Sequence, residues 1–385
     1  MYSNQAHRKN STITTQVMCA IIFSLFSFVW LFWNQADLLA VEQHVFSKGQ
    51  THYNQTIGAL LITGILMAVQ QVVLRFVKLH NRSHALTYLP SMLLLALLGD
   101  FSVDENSSYQ YGTWFWFIPI VLLVWGIMVW IARQTLPFDS DKEQTWPFSR
   151  RVWMNMLIMT GMMIGVAGLS NTNAVFHFRT HAEAAIMNED YEEALRTGWR
   201  SHETDESLTM LRAYALSKKG QLAEHLFEYP LVGRGKDLLP LWDSRSKALL
   251  MPVDSFYTYF GARPIGISSM IHYFELLKKD SLAKAPVADY HLCALLMDKK
   301  LDEFARYLPH YYSVEENLPK HYREAATLYT HLRSKPLFVY KNPVMEEDWH
   351  NFQELTRRYP DKMERKVMVA DRYSTSYWYY YFYEM

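Results

Sequence analysis

Residues Val152–Leu169 read VWMNMLIMTGMMIGVAGL, a run without a single charge. At 1.5 Å of rise per residue, a helix of that length is just able to cross the hydrocarbon core of a bilayer. Upstream of it, oily segments alternate with short loops. Downstream of Ser170 the chain turns polar and rich in helix formers. The run is therefore read as the last transmembrane helix and as the border between two solvents.

With 385 residues, half of them hydrophobic, the chain has room for a membrane domain and a soluble one. Thirty-eight basic residues balance 38 acidic ones, so no net field draws a polyanion, and nucleic acid is set aside as a partner. The two cysteines, Cys19 and Cys293, fall on opposite sides of the membrane border, which leaves no disulfide to staple the soluble part. That part must be held by its own hydrophobic core.

Residues 1–16 form a polar tail with Arg8 and Lys9. The apolar run that follows is longer and more aromatic than the core of a cleaved signal, and NQADLLAVEQ behind it offers no small-x-small cleavage site. An uncleaved signal anchor is the reading. Further apolar segments bring the expected spans to 17–33, 57–77, 86–99, 114–132 and 152–169. The third is short and carries Pro90, so a re-entrant piece is its alternative. Charge decides the parity. Basic residues collect in alternate connections, first Arg8 and Lys9, then Arg75, Lys78 and Arg82, then Arg133, Lys142, Arg150 and Arg151, whereas the intervening loops hold Asp37, Glu42 and a lone Lys48, then Asp100, Asp104 and Glu105. Five crossings are expected, with the N-terminus cytoplasmic and residues 170–385 periplasmic on a bacterial inner membrane. Within the spans, Gln70, Gln71 and Asn155 are read as interhelical hydrogen-bonding residues in preference to a transport path. Gly161, Gly165 and Gly168 make a small-residue stripe that lets another helix, the chain's own or a partner's, come close.

From 170 onward the pattern is all helix. Apolar residues recur at helical spacing, broken at Asn188–Asp190 and again at Gly220, which gives two helical hairpins in succession. The pairs resemble tetratricopeptide repeats: Asp190-Tyr191 with Ala194, then Gly220-Gln221-Leu222, then Lys299-Lys300-Leu301 stand where that family turns into its second helix, and Pro230 and Pro309 close units. Phe304 departs from the small residue usual there, and the spacing drifts. The resemblance implies a TPR-like surface for protein partners. Between the units, Leu231–Pro264 reads as an irregular insertion packed on the helices. A last helix is expected after Pro343, and the chain closes in YWYYYFY. Tyr377, Trp378, Tyr380 and Phe382 suit packing against the last helix pair, contact with lipid, or docking of a partner.

No motif fixes a reaction, and no cofactor or metal is expected. His177 and His181 share a helix face near Glu183 without a placeable third ligand, and GRGK at 233–236 lacks the spacing and preceding strand of a phosphate loop. One catalytic alternative stands on a resemblance. Sugar transferases that use polyprenyl-phosphate donors carry an acid in the first outer loop, and NQADLLAVEQ resembles such a loop, which would make Asp37, Glu42, Asp100 and Asp104 the acids of interest. Those enzymes have roughly twice the spans. In layout the chain also resembles uncharacterised bacterial multi-pass proteins ending in helical repeats. The expectation is a membrane-anchored scaffold or adaptor, held in the bilayer and binding protein through its helical repeats, with a partial or degenerate transferase as the alternative.

Overall fold

The computed structural model describes residues 2–47, 50–51, 53–77, 79, 81–100, 112–135, 150–264, 269–314 and 318–384. Among them every regular element is helical, and the chain divides into two units, Met1–Asn173 and Ala174–Met385.

The first unit comprises α1 (Tyr2–Val29), which runs on through a π-turn at Trp30–Asn34, α2 (Ala36–Ser47), α3 (Gln55–Val77), α4 (Leu89–Gly99), α5 (Gly112–Thr135) and α6 (Arg150–Leu169). Four stretches, Thr14–Asn34, Gln55–Val77, Trp114–Gln134 and Val152–Leu169, are long and apolar enough to cross a membrane. Ser83–Gly99 is shorter. Its first part, within Asn81–Tyr88, is a 3-10 helix. The chain kinks at Ser83, and because 3-10 turns rise about 2 Å per residue the stretch beyond it with α4 reaches about 27 Å despite its low residue count. Pro90 falls in the first turn of α4, where a missing N–H costs nothing.

That short segment is the centre of the unit. Ser91, Met92, Leu95 and Ala96 are buried, and the uncharged polar residues of its neighbours are turned onto it. Gln70 donates to Thr87 Oγ1 at 3.0 Å, Asn155 Oδ1 accepts the Ala85 N–H at 2.8 Å, and Ser91 donates to Leu66 O at 2.8 Å. Such pairs satisfy groups that hydrocarbon would leave stranded. The segment starts beside Asn155 and ends where the Asn171 N–H meets Gly99 O at 2.6 Å, so it runs alongside α6 in the same direction from end to end. At one end of the unit Arg133 covers the last carbonyls of α3, at Val77 and Phe76. At the other, Gln55 reaches Phe32 O and Trp114 Nε1 donates to Asp100 Oδ2 at 2.6 Å.

The second unit comprises α7 (Ala174–Met187), α8 (Tyr191–Arg196), α9 (Glu206–Lys218), α10 (Leu222–His225), α11 (Val253–Phe260), α12 (Met270–Lys279), α13 (Pro286–Met297), α14 (Leu301–Tyr307), α15 (Lys320–Leu332), α16 (Pro343–Arg358), α17 (Lys362–Tyr373) and α18 (Tyr377–Tyr383). Three of its helix pairs share one turn. Glu189, Gly220 and Lys299 all take φ near +60°. At each, the following N–H returns to a carbonyl five residues back: Asp190 to Ala185, Gln221 to Leu216 and Lys300 to Leu295, at 2.8–2.9 Å. This is the left-handed helix cap that glycine favours, adopted by Glu189, by Lys299 and again after α12 by Ser281, where the Leu282 N–H returns to Leu277 O at 2.9 Å.

The second helix of each pair is curtailed to one or two turns. α10 and α14 tighten into 3-10 turns ahead of Pro230 and at Pro309, and α8 stops at Thr197. The Leu231–Pro264 segment packs back onto α7, α9 and α13, and a buried carboxylate holds it there. Glu183 accepts the N–H groups of Leu249, Leu250 and Met251 at 3.0, 2.7 and 2.7 Å.

Candidate functional site

The acids of the first unit are separated by their roles. Asp37 opens α2, where an anion suits the helix N-terminus, and Asp100 receives the Trp114 indole. Glu42, further along α2, is desolvated enough that its carboxyl is pushed up to about 7. Asp104 lies outside the described residues. On α6, no atom comes within 4 Å of a Cβ built at Gly161, Gly165 or Gly168. Gly161 and Gly165 instead line an apolar cavity of about 380 Å³ between the third segment, α5 and α6.

In the second unit a groove opens between the first two helix pairs, and its origin is a glycine. Where α8 ends, Gly198 takes φ 63, and a Cβ there would sit 2.7 Å from the Phe178 ring. The chain turns sharply and presents Trp199 to solvent, 59% exposed, with the Arg200 guanidinium 5.0 Å from its ring centre. Arg212 of α9, buried, fixes the turn by donating to Thr197 O at 3.3 Å and Gly198 O at 3.2 Å, and it lies 5.3 Å from the Tyr229 ring. Burial lowers its pKa to about 10, which still leaves it a cation at neutral pH.

The groove, of about 360 Å³, is lined by Arg196, Trp199, Gln221 and Tyr229 over a floor of Leu195 and Leu216. Its carboxylates are engaged: Glu192 by Lys219, and Glu228 by His225 at 2.9 Å and Lys320 at 2.6 Å. Among the described residues no side chain hydrogen-bonds the Arg196 guanidinium or the Gln221 amide, although the Glu192 carboxylate is stabilised by the Arg196 charge. The open polar groups are thus mainly donors, set beside two aromatic rings. Sequence reasoning missed this groove, although a Trp-Arg pair one residue ahead of the polar run HETDES is a sign of an aromatic left in a loop.

Other residues singled out from sequence have definite places. His181 lies 3.5 Å from Glu193, while Glu183 is committed to its three backbone donors, and among the described residues no three His, Cys, Asp or Glu side chains gather as a metal would need. In GRGK the Arg234 N–H goes to Asp237 Oδ2 at 2.9 Å and the Gly235 N–H to Asp298 Oδ1 at 2.9 Å, so the turn is closed on itself and offers no anion nest. A Cβ on Gly235 would come within 2.4 Å of Ala294 O, which is why glycine stands there.

The aromatic end of the chain is part of the core. Tyr377, Trp378 and Tyr380 are buried, while Phe382 is 46% exposed. Tyr377 and Tyr380 donate to Leu296 O and Met297 O at the C-terminus of α13, at 3.2 and 2.9 Å, and Trp378 Nε1 donates to Glu324 O at 2.7 Å. They tie the tail to the end of α13 and to the body of α15. Beneath them His321 Nε2 receives the Phe227 N–H at 3.3 Å, so its proton sits on Nδ1 and points to Glu324 Oε2 at 3.0 Å.

A family of unknown function, DUF6057, matches residues 267–384, from ahead of α12 through α18 and less than a third of the chain. No curated protein and no solved structure matches the chain.

Proposed function

We propose that the chain is a membrane-anchored adaptor that crosses a bacterial cytoplasmic membrane five times and presents a TPR-like helical domain on the periplasmic side, where the groove between its first two helix pairs takes an acidic segment of a protein partner. The groove carries this reading: an Arg196 guanidinium free of hydrogen-bonding side chains beside exposed Trp199 is the pairing of cation and aromatic anchor that protein interfaces concentrate. Five crossings are supported by the third segment, which keeps pace with α6 along its length and reaches a comparable height. The shared turns at Glu189, Gly220 and Lys299 support the repeat character. The apolar cavity beside Gly161 and Gly165 is where a partner's transmembrane helix would pack.

The test is a photocrosslinking residue in place of Gln221, used in native membranes. A discrete protein adduct that disappears with Arg196→Glu is expected. An adduct indifferent to that change, or none, counts against the adaptor. The Glu42 carboxyl, poised near neutrality, is the one observation favouring a transferase. If a glycolipid co-purifies and Glu42→Gln stops its turnover, that reading replaces the first.

A further inference from the structure

A second concavity, of about 400 Å³, opens between α15, α16 and the turn that joins α17 to α18. Glu324 lines it and is 5% exposed. One of its oxygens is fully used: Oε2 accepts from His321 Nδ1 at 3.0 Å and from the Tyr377 N–H at 2.7 Å. Among the described residues no donor reaches the other, Oε1. That oxygen is not enclosed: it opens on the cleft, on a residue otherwise withdrawn from solvent. The open oxygen and the cleft together mark a place for a ligand that brings a donor.

The rim narrows the class of ligand. Asp348 and Asn351 of α16, Arg372 of α17 and Thr375 of the turn line the cleft with side chains that bond to nothing described, while Lys320 keeps one N–H free after donating to Glu228 and to Thr375 O. Two anions, Glu324 and Asp348, stand with two cations, Lys320 and Arg372, so the lining has no net charge to select an ion. It offers acceptors and donors side by side. A ligand that meets both, without charge of its own, carries hydroxyl groups in close succession, each able to donate to a carboxylate and accept from a guanidinium.

We infer that this cleft is a binding site for a neutral saccharide, whose hydroxyl donates to Glu324 Oε1 and whose neighbouring oxygens take Arg372 and Thr375. The site does not depend on the adaptor reading or on the groove at Trp199.

Full-length protein in lipid nanodiscs can be titrated with glucose, galactose, N-acetylglucosamine and their disaccharides, following saturation transfer to the sugar protons. Glu324 also holds the fold together, so the decisive variants are Asp348→Asn and Arg372→Gln, at exposed rim positions where folding is unaffected and circular dichroism serves as the control. At least one saccharide should saturate the wild type, with each rim variant binding it about tenfold more weakly, the loss expected for one charge-assisted hydrogen bond. Three results would overturn the assignment: no saccharide binding to the wild type, binding indifferent to both rim changes, or occupancy by free amino acids in preference to every sugar.

Discussion

Replacing Glu183 by Gln tests how the Leu231–Pro264 segment is held. Oε1 accepts the Leu250 and Met251 N–H groups at 2.7 Å each, and Oε2 accepts that of Leu249 at 3.0 Å. Glutamine fills the same space with only one oxygen. Turned to keep the two shorter bonds, its NH2 faces the Leu249 N–H, donor against donor. One charge-assisted bond is lost, worth roughly 1.5–3 kcal/mol, and two others become neutral. Against this, the variant no longer buries an ion whose pKa is raised by desolvation, which returns part of the loss. A net cost of about 2 kcal/mol to local opening follows, and at 1.4 kcal/mol per factor of ten this is about thirtyfold faster exchange. Hydrogen exchange by mass spectrometry on the full-length protein in nanodiscs reads it directly in peptides covering residues 249–251, with helices remote from the clasp as the reference. Exchange within about threefold of wild type would mean that apolar packing holds the segment and that the carboxylate is incidental.

Ending the chain at Tyr373 removes Tyr377, Trp378 and Tyr380 from the core and takes two hydroxyl donors away from the end of α13. Loss of a buried tryptophan alone costs about 3–5 kcal/mol, so the truncated second unit should lose its cooperative melting transition, and an unchanged transition would place the tail outside the core. His291 is buried between Phe274 and Tyr307, and its pKa is lowered to about 4 because its charged form is desolvated. Its neutral form is favoured by the fold, so its contribution is whole above the ordinary histidine pKa near 6.5 and drains away as pH falls from there toward 4. The buried acids Glu183 and Asp289, with raised pKa values, act in the opposite sense on acidification. The melting temperature of wild type relative to His291→Gln should therefore drop between pH 7.5 and 5, and parallel curves would show that His291 does not titrate as described.

The membrane part was readable from sequence because a span writes itself as an unbroken apolar run of fixed length. The third segment was the exception. Its residue count is low, and the 3-10 stretch that lengthens it leaves no trace in composition. The polar residues Gln70 and Asn155 were placed as interhelical partners, and both bond to that segment. In the second unit Gly220 announced its turn, whereas Glu189 and Lys299 adopt the same left-handed cap without glycine, so only the spacing hinted at it. Pro230 and Pro309 marked where helices tighten, but the end of α8 depends on Phe178 crowding Gly198, a contact between two helices. The groove and the cleft were invisible for the same reason. Trp199 and Tyr229, or Glu324 and Arg372, belong to distant parts of the chain and meet only when it folds. The aromatic tail shows the converse, since its composition suits burial and docking equally and the facing carbonyls of α13 decide its place.

The adaptor reading depends on which side of the membrane the second unit faces. Cys19 and Cys293 are both buried, so a reporter cysteine placed at exposed Glu203 can be read almost without background. In intact spheroplasts, a membrane-impermeant maleimide should label that cysteine as fully as it does after detergent permeabilisation. Labelling that appears only after permeabilisation would put the domain in the cytoplasm and contradict the five-crossing anchor.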